Sequence, residues 1–248
     1  MIVDFSKLST IKIGVKLDVK IINENNYNNE ILIGRASNSL VCGGNIGVLS
    51  DKYDFIKIEN NKLVVVAKTK NSKLYNFTRQ NNIAGFEFLS KLPGSIGGTI
   101  KMNAGMKSYE ISNNLISVNE IEKNNLEFGY RFSNINFPIF YAKFEIKNGF
   151  NKNLVDTFSK MRKNQPKNPS LGSAFKNPNG DYAGRLIEAV GLKGIKFGEV
   201  GFSEIHSNFL VNYGNGSCED VIIALSEAKK RVFEEFGITL QEEIKVIQ

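Results

Sequence analysis

Apolar residues recur at helical spacing most clearly near the end of the chain, at Val221, Leu225, Ala228, Val232 and Phe236. Steps of three and four residues put them on one face of a helix. Ser217-Cys218-Glu219-Asp220 fits a capping-box start, with Asp in place of the usual Glu, and Gly237 stops the helix. Residues 238–247 then alternate as a strand, with Ile238, Leu240, Ile244 and Val246 on one face and Thr239, Gln241, Glu243 and Lys245 on the other. Weaker helical patterns cover 72–82, capped by Ser72 with Leu74 and Phe77 inward, 154–162, and 183–190, closed by Gly191. Loose alternation or short apolar runs predict strands at 11–22, 31–33, 55–58, 62–69, 115–121, 126–132, 139–146 and 209–211. Asn60-Asn61 splits a pair of these as a turn, and Asn148-Gly149 marks a second turn and a domain boundary. Hairpin-like strands with interspersed helices give an α+β or mixed α/β fold.

A chain of 248 residues buries a real core and has room for two or three subdomains. Its net charge of +7 suits an anionic small molecule, a nucleic acid or no partner at all. The lysines are spread rather than blocked, which favours a generally basic surface over a nucleic-acid stripe. Cys42 and Cys218 form no Cys-x-x-Cys pair and no metal spacing, so they read as two inert thiols in a reducing cytoplasm. The N-terminal residues lack the apolar core of a signal peptide, and the longest aliphatic run, 63–67, is too short to span a bilayer. The expectation is a cytoplasmic protein.

Several chemistries drop out. A single histidine, His206, excludes a multi-histidine metal site within one chain, and no metal is expected. No nucleophile elbow, P-loop or Gly-x-Gly-x-x-Gly fingerprint occurs. What remains is a glycine cluster at Pro93-Gly94-Ser95-Ile96-Gly97-Gly98, held between Phe86, Phe88 and Leu89 on one side and Ile100 and Met102 on the other. Exposed N–H groups in such a turn can form a nest for phosphate, or the turn can be purely structural. Arg131, Ser173 and Glu243 stand in apolar or glycine surroundings on separate segments. Each alone suits a surface cation, a turn hydroxyl and a solvated acid; together they are the cation, donor and acid from which an active site is composed.

At these residues the chain resembles the UDP-N-acetylenolpyruvoylglucosamine reductase family. The stretch GFEFLSKLPGSIGGTIKMNAG at 85–105 is similar to that family's central flavin-binding signature. Tyr130-Arg131-Phe132-Ser133 resembles its Tyr-Arg-x-Ser motif, and 172–178, GSAFKNP, its Gly-Ser-x-Phe-Lys-Asn-Pro motif. Residues 183–188 with 191–194, the Ser203-to-Phe209 stretch and 236–244 follow in the family's order.

The resemblance implies a two-lobed FAD-binding domain of the vanillyl-alcohol-oxidase type at 1–149, with lobes at about 1–52 and 53–149. A smaller α+β substrate domain at 150–248 completes it, in the short subfamily without a tyrosine-bearing lid. It implies FAD near Gly34, Ser37 and Asn38 and near Pro93, Gly94, Ser95, Gly97 and Gly98, with Asn103 and Gly105 on the same surface. NADPH would reduce the flavin, and the enolpyruvyl ether of UDP-N-acetylglucosamine would then accept hydride to give UDP-N-acetylmuramate for peptidoglycan synthesis. Arg131 and Glu243 would stabilise the developing charge beside the carboxylate, Glu243 best in its protonated form, and Ser173 would protonate the neighbouring carbon. Tyr130, Lys176 and Asn177 would contact substrate, and the protein would be a monomer. Arg35 and Ala36 depart from a glycine-rich first flavin motif, and Asn164 replaces a common lysine, leaving Lys163 or Lys167 for the substrate diphosphate. The rival readings are another FAD oxidoreductase of the same fold and a basic nucleic-acid-binding protein without enzymatic activity.

Overall fold

The computed structural model of the chain describes residues 1–248. Packing divides them into two units that interleave along the sequence: 1–18, 36–45 and 164–248 form one, 19–35 and 46–163 the other. The expected division after residue 149 follows the order of motifs along the chain, whereas these units follow long-range strand pairing.

The second unit is built on an antiparallel sheet of Ile121–Glu122, Leu115–Val118, Tyr141–Glu145, Lys62–Val66 and Ile56–Glu59, in that order. Asn60 and Asn61, with φ of 49° and 55°, make the hairpin turn that the sequence predicts. Lys62–Val66 lies between neighbours on both sides, and all its apolar residues are buried. Leu63 and Val65 join a core with Phe86, Phe88, Ile96, Ile100, Phe144 and Phe158, while Val66 faces Ile22, Tyr53 and Phe140. A smaller parallel sheet sets Ile46–Leu49 between Lys20–Ile22 and Ile31–Leu32.

The first unit carries an antiparallel sheet of Ser170–Ser173, Phe209–Asn212, Val200–Phe202 and Lys196–Phe197. The helix Cys218–Phe236 buries Val221, Ala224, Leu225, Ala228 and Val232 in the core shared with Phe175, Leu186 and Phe202. Its capping box joins Ser217 and Asp220, and Gly237 closes it at φ 67°. Ser39–Val41 runs parallel to Lys245–Ile247, so a segment from the first fifty residues pairs with the C-terminal strand.

Some expectations change. The helix at Asn71–Gln80 starts one residue before Ser72, and its cap position is Lys70, because the Asn71 side chain is engaged elsewhere. Residues 126–132 do not form one strand: Phe128–Gly129 folds back on Phe132–Ser133, with Arg131 at φ 53° in the turn. Only Lys245–Ile247 of 238–247 pairs in a sheet, since 241–243 bonds instead to 174–176. Cys42 and Cys218, expected as separate thiols, form a disulfide with Cα atoms 6.0 Å apart. The ladder explains it: the Cys42 amide bonds to Ile247 at 2.7 Å, and the Cys218 sulfur lies against the Val41 carbonyl.

Candidate active site

In the second unit the glycine cluster opens the short helix Ile96–Lys101. Asn71, 1% exposed, pins the approach to it. Its side-chain amide donates to the Leu92 and Pro93 carbonyls, each at 3.3 Å, its oxygen accepts from the Thr99 hydroxyl at 2.9 Å, and its backbone N–H reaches Gly94. Gly94 adopts φ 125°, which a side chain rarely tolerates. The Ile96 and Gly97 amides bond to the Thr69 and Ala67 carbonyls, both at 2.9 Å. This cluster is therefore a half-engaged nest: Gly94, Ser95 and Gly98 are the amides without an internal partner. Gly34 passes directly over Ser95, where a Cβ would sit 2.2 Å from the hydroxyl oxygen. A glycine approach, three unengaged amides and a hydroxyl form a donor set that fits an anionic diphosphate such as that of FAD.

The same unit places Arg131. Asn103, buried and at φ 44°, donates to Glu110 at 2.8 Å and to the Gly129 carbonyl at 3.0 Å, tying the hairpin to the Gly105–Met106/Tyr109–Glu110 ribbon. Arg131 then donates to the Gly105 carbonyl at 3.2 Å, and its guanidinium lies 5.2 Å from the Tyr130 ring centre. Tyr130 itself is exposed, as is Pro93. Sequence reading singled out neither Asn71 nor Glu110; a buried polar residue leaves no periodic mark.

The first unit brings Asn38, Ser173 and Glu243 together. Ser173 ends its strand after Gly172, whose φ is 86°. The next residue, Ala174, accepts at its carbonyl from the Glu243 amide at 2.8 Å. The Asn38 side chain donates to the Glu243 carbonyl at 2.9 Å, and the Lys245 amide returns to the Asn38 carbonyl. Asn208, 4% exposed, holds the strand from beneath: its side chain brackets Phe175 with bonds of 3.0 and 2.8 Å, and its carbonyl takes the Ala174 amide. Both Ser173 and Glu243 remain half-exposed. Ser37 accepts from the Thr10 hydroxyl at 3.4 Å. Lys176 is anchored by its backbone to Gln241, and the Asn177 side chain accepts from the Ala183 amide at 3.1 Å, serving the start of a helix. His206 packs edge-on to Phe209, and burial pushes its pKa down, in keeping with a structural role.

One unit thus carries the Ser173 hydroxyl and the Glu243 carboxyl on segments joined through the backbone, and the other carries the Arg131 guanidinium and a glycine-lined donor set. Residues 165–247 match the family model for the UDP-N-acetylenolpyruvoylglucosamine reductase, C-terminal domain. The chain is 45% identical to the UDP-N-acetylenolpyruvoylglucosamine reductase of Campylobacter jejuni strain RM1221, covering 100% of both chains. It is 42% identical to the protein so named in Helicobacter pylori strain J99, over 99% of this chain and 98% of that one. The crystal structure of UDP-N-acetylenolpyruvylglucosamine reductase from Thermus caldophilus superposes with a TM-score of 0.84 at 27% identity, covering 100% of this chain and 98% of that one. The chain is thus an oxidoreductase. It belongs to the UDP-N-acetylenolpyruvoylglucosamine reductase family.

Proposed function

We propose that the protein reduces the enolpyruvyl ether of UDP-N-acetylglucosamine to UDP-N-acetylmuramate, for peptidoglycan precursor synthesis, using NADPH and FAD. The single observation that supports this most is the backbone bond from Glu243 to Ala174, which joins the segment of the acid to the residue after Ser173, from parts of the chain far apart in sequence. FAD, when bound, supplies the two-electron redox chemistry, with NADPH as its reductant. Gly34, Ser95, Gly97 and Gly98 would hold its diphosphate, within a flavin domain of the two-lobed type, and Ser37 and Asn38 would extend that surface. Asn103 and Gly105 would act by fixing the ribbon on which Arg131 rests.

Arg131 offers parallel N–H donors to the substrate carboxylate, where negative charge grows as the alkene is reduced. Ser173 gives its proton to the carbon next to that carboxylate. An enolate-like carbon is a strong enough base to take it, although a serine hydroxyl is otherwise a weak acid. Glu243 donates a hydrogen bond to the same developing charge, and Tyr130, Lys176 and Asn177 line the path of the sugar nucleotide. The basic net charge of +7 suits a substrate carrying a diphosphate and a carboxylate. The protein would work as a cytoplasmic monomer.

The test follows NADPH oxidation by the yellow holoprotein with and without the enolpyruvyl sugar nucleotide. Oxidation should depend on that substrate and yield the muramate product; a colourless protein that FAD cannot reconstitute would end the reading. Ser173→Ala should leave flavin reduction by NADPH intact and slow substrate reduction by about a thousandfold, the scale of a lost general acid. Equal loss in both half-reactions would remove Ser173 from that role.

A further inference from the structure

Arg162 caps the C-terminal end of the helix Lys152–Met161, half-buried. Its Nε is buried and has no hydrogen-bond partner. No carboxylate lies within ion-pair distance of it, whereas the buried Glu30 has Lys20 at 2.6 Å and the buried Glu87 accepts from the Gly85 and Asn151 amides. Leaving a buried donor of a charged group unsatisfied costs more than a lost hydrogen bond between neutral groups.

The end of this helix and Arg131 meet on the same ribbon. Phe158, one turn before Arg162, packs edge-on against Tyr109 at 5.3 Å. Tyr109 pairs with Met106, and the neighbouring Gly105 carbonyl holds the Arg131 guanidinium. Burial, and then the charge of Arg131, pull the Arg162 pKa below its ordinary value. Two guanidinium groups are therefore held within reach of each other's field, on separate elements, one of them without a counter-ion. Like charges in such a setting repel, and the arrangement becomes favourable when an anion enters between them. A guanidinium fork matches the two oxygens of a carboxylate.

We propose that Arg162 is the second cation of a carboxylate-binding site whose first is Arg131. This rests on the reading above, in which Arg131 takes the enolpyruvyl carboxylate, and it adds a substrate-binding residue that sequence reading did not single out. Arg162 has no partner in the unliganded protein because its partner is the ligand.

Two measurements on the FAD-bound protein test this. In the first, melting temperature is followed with pyruvate, and with inorganic phosphate, for the wild type, Arg162→Met and Arg162→Lys. Pyruvate should raise the wild-type melting temperature more than phosphate does, raise that of Arg162→Lys partly, and leave Arg162→Met unmoved. Without ligand, Arg162→Met should melt no lower than the wild type, because a repulsion and an unsatisfied donor are removed. In the second, Arg162→Met should raise the KM for the enolpyruvyl substrate about tenfold to a hundredfold, the scale of a lost charge-assisted hydrogen bond, while flavin reduction by dithionite is unchanged. An unliganded Arg162→Met protein that melts several degrees lower with KM unchanged would make the residue structural and overturn the proposal. Equal stabilisation of all three proteins by pyruvate, or stabilisation of the wild type by phosphate alone, would overturn it as well. A wild type that binds pyruvate but never turns over the enolpyruvyl substrate would defeat the functional reading and leave the second guanidinium standing.

Discussion

Gly105 has no room for a methyl group. A Cβ there would lie 2.1 Å from the Tyr109 carbonyl oxygen and 2.7 Å from the Glu110 Cα, both of them backbone atoms fixed by strand pairing. The ribbon would have to open, and with it the carbonyl that orients Arg131 and the carboxylate that Asn103 holds. Gly105→Ala should therefore cost about 3 kcal/mol, the upper range for overpacking a tight interior, read from urea unfolding. It should also weaken substrate binding through Arg131, whereas Gly180→Ala, in open space with φ 78°, should show only backbone strain and no effect on substrate. The asymmetry separates a glycine required by close approach from one required by conformation. Sequence alone ranks both simply as glycines in turns. It singles out Arg131, Ser173 and Glu243 because their motifs carry them, yet it is silent on Asn71, Glu110 and the side chain of Arg162, and gives Asn208 no role of its own. Asn71, Glu110 and Asn208 act through hydrogen bonds to distant segments and Arg162 through a missing partner, and neither leaves a period or a spacing to read.

At the scale of an element, the helix Ala183–Ala189 is anchored by a charge pair at its start. Arg185 donates from Nε to Asp181 at 2.7 Å and again from its terminal nitrogen, and the Tyr182 amide adds a third bond to the same carboxylate. The Arg185 bond, first, and that amide hold the Asp181 pKa down to about 2. A carboxylate whose pKa is lowered by folding stabilises the native state above its ordinary value of about 3.9. That contribution fades as pH falls from there through about 2. Asp181→Asn should thus flatten the fall of melting temperature across this acid window, measured by circular dichroism, and leave its pH dependence near neutrality unchanged. A variant curve parallel to the wild type throughout would remove the pair from acid stability. The sequence shows such an element well when local chemistry settles it: the long C-terminal helix has its capping box and its left-handed glycine where expected, and Asn60-Asn61 turns a hairpin as expected. It shows elements badly where a distant segment competes. Residues 238–247 alternate like a strand, but the 241–243 backbone bonds to 174–176, so only Lys245–Ile247 enters a sheet.

At the scale of the whole chain, that competition decides what folds with what. The Asn148-Gly149 turn suggests a break after residue 149, and a reader of the sequence would cut there. The unit that holds Ser173 and Glu243 also contains residues 1–18 and 36–45. Ile11, Ile13 and Leu40 are fully or almost fully buried in its core beside Phe175 and Leu240. Ser39–Val41 supplies the partner strand for Lys245–Ile247, and the Asn38 amide reaches Glu243 across 205 positions of sequence. The Cys42–Cys218 disulfide joins the residue after Ser39–Val41 to the start of the helix Cys218–Phe236. No local pattern can announce a partner so far away, because loop closure over that span is set by the finished fold and not by neighbours. A fragment of residues 150–248 should therefore lose its parallel partner strand and several of its core side chains together. Removing buried Ile and Leu side chains costs about 2–5 kcal/mol each, and the loss of three exceeds about half the stability of an ordinary domain. Expressed alone, the fragment should show no cooperative urea transition and should expose apolar surface to a dye. A chain in which residues 1–45 are joined by a flexible linker to residue 164 should recover a cooperative transition in this part of the protein. Cooperative unfolding of the bare 150–248 fragment would mean that the N-terminal segments decorate this unit without being needed to build it.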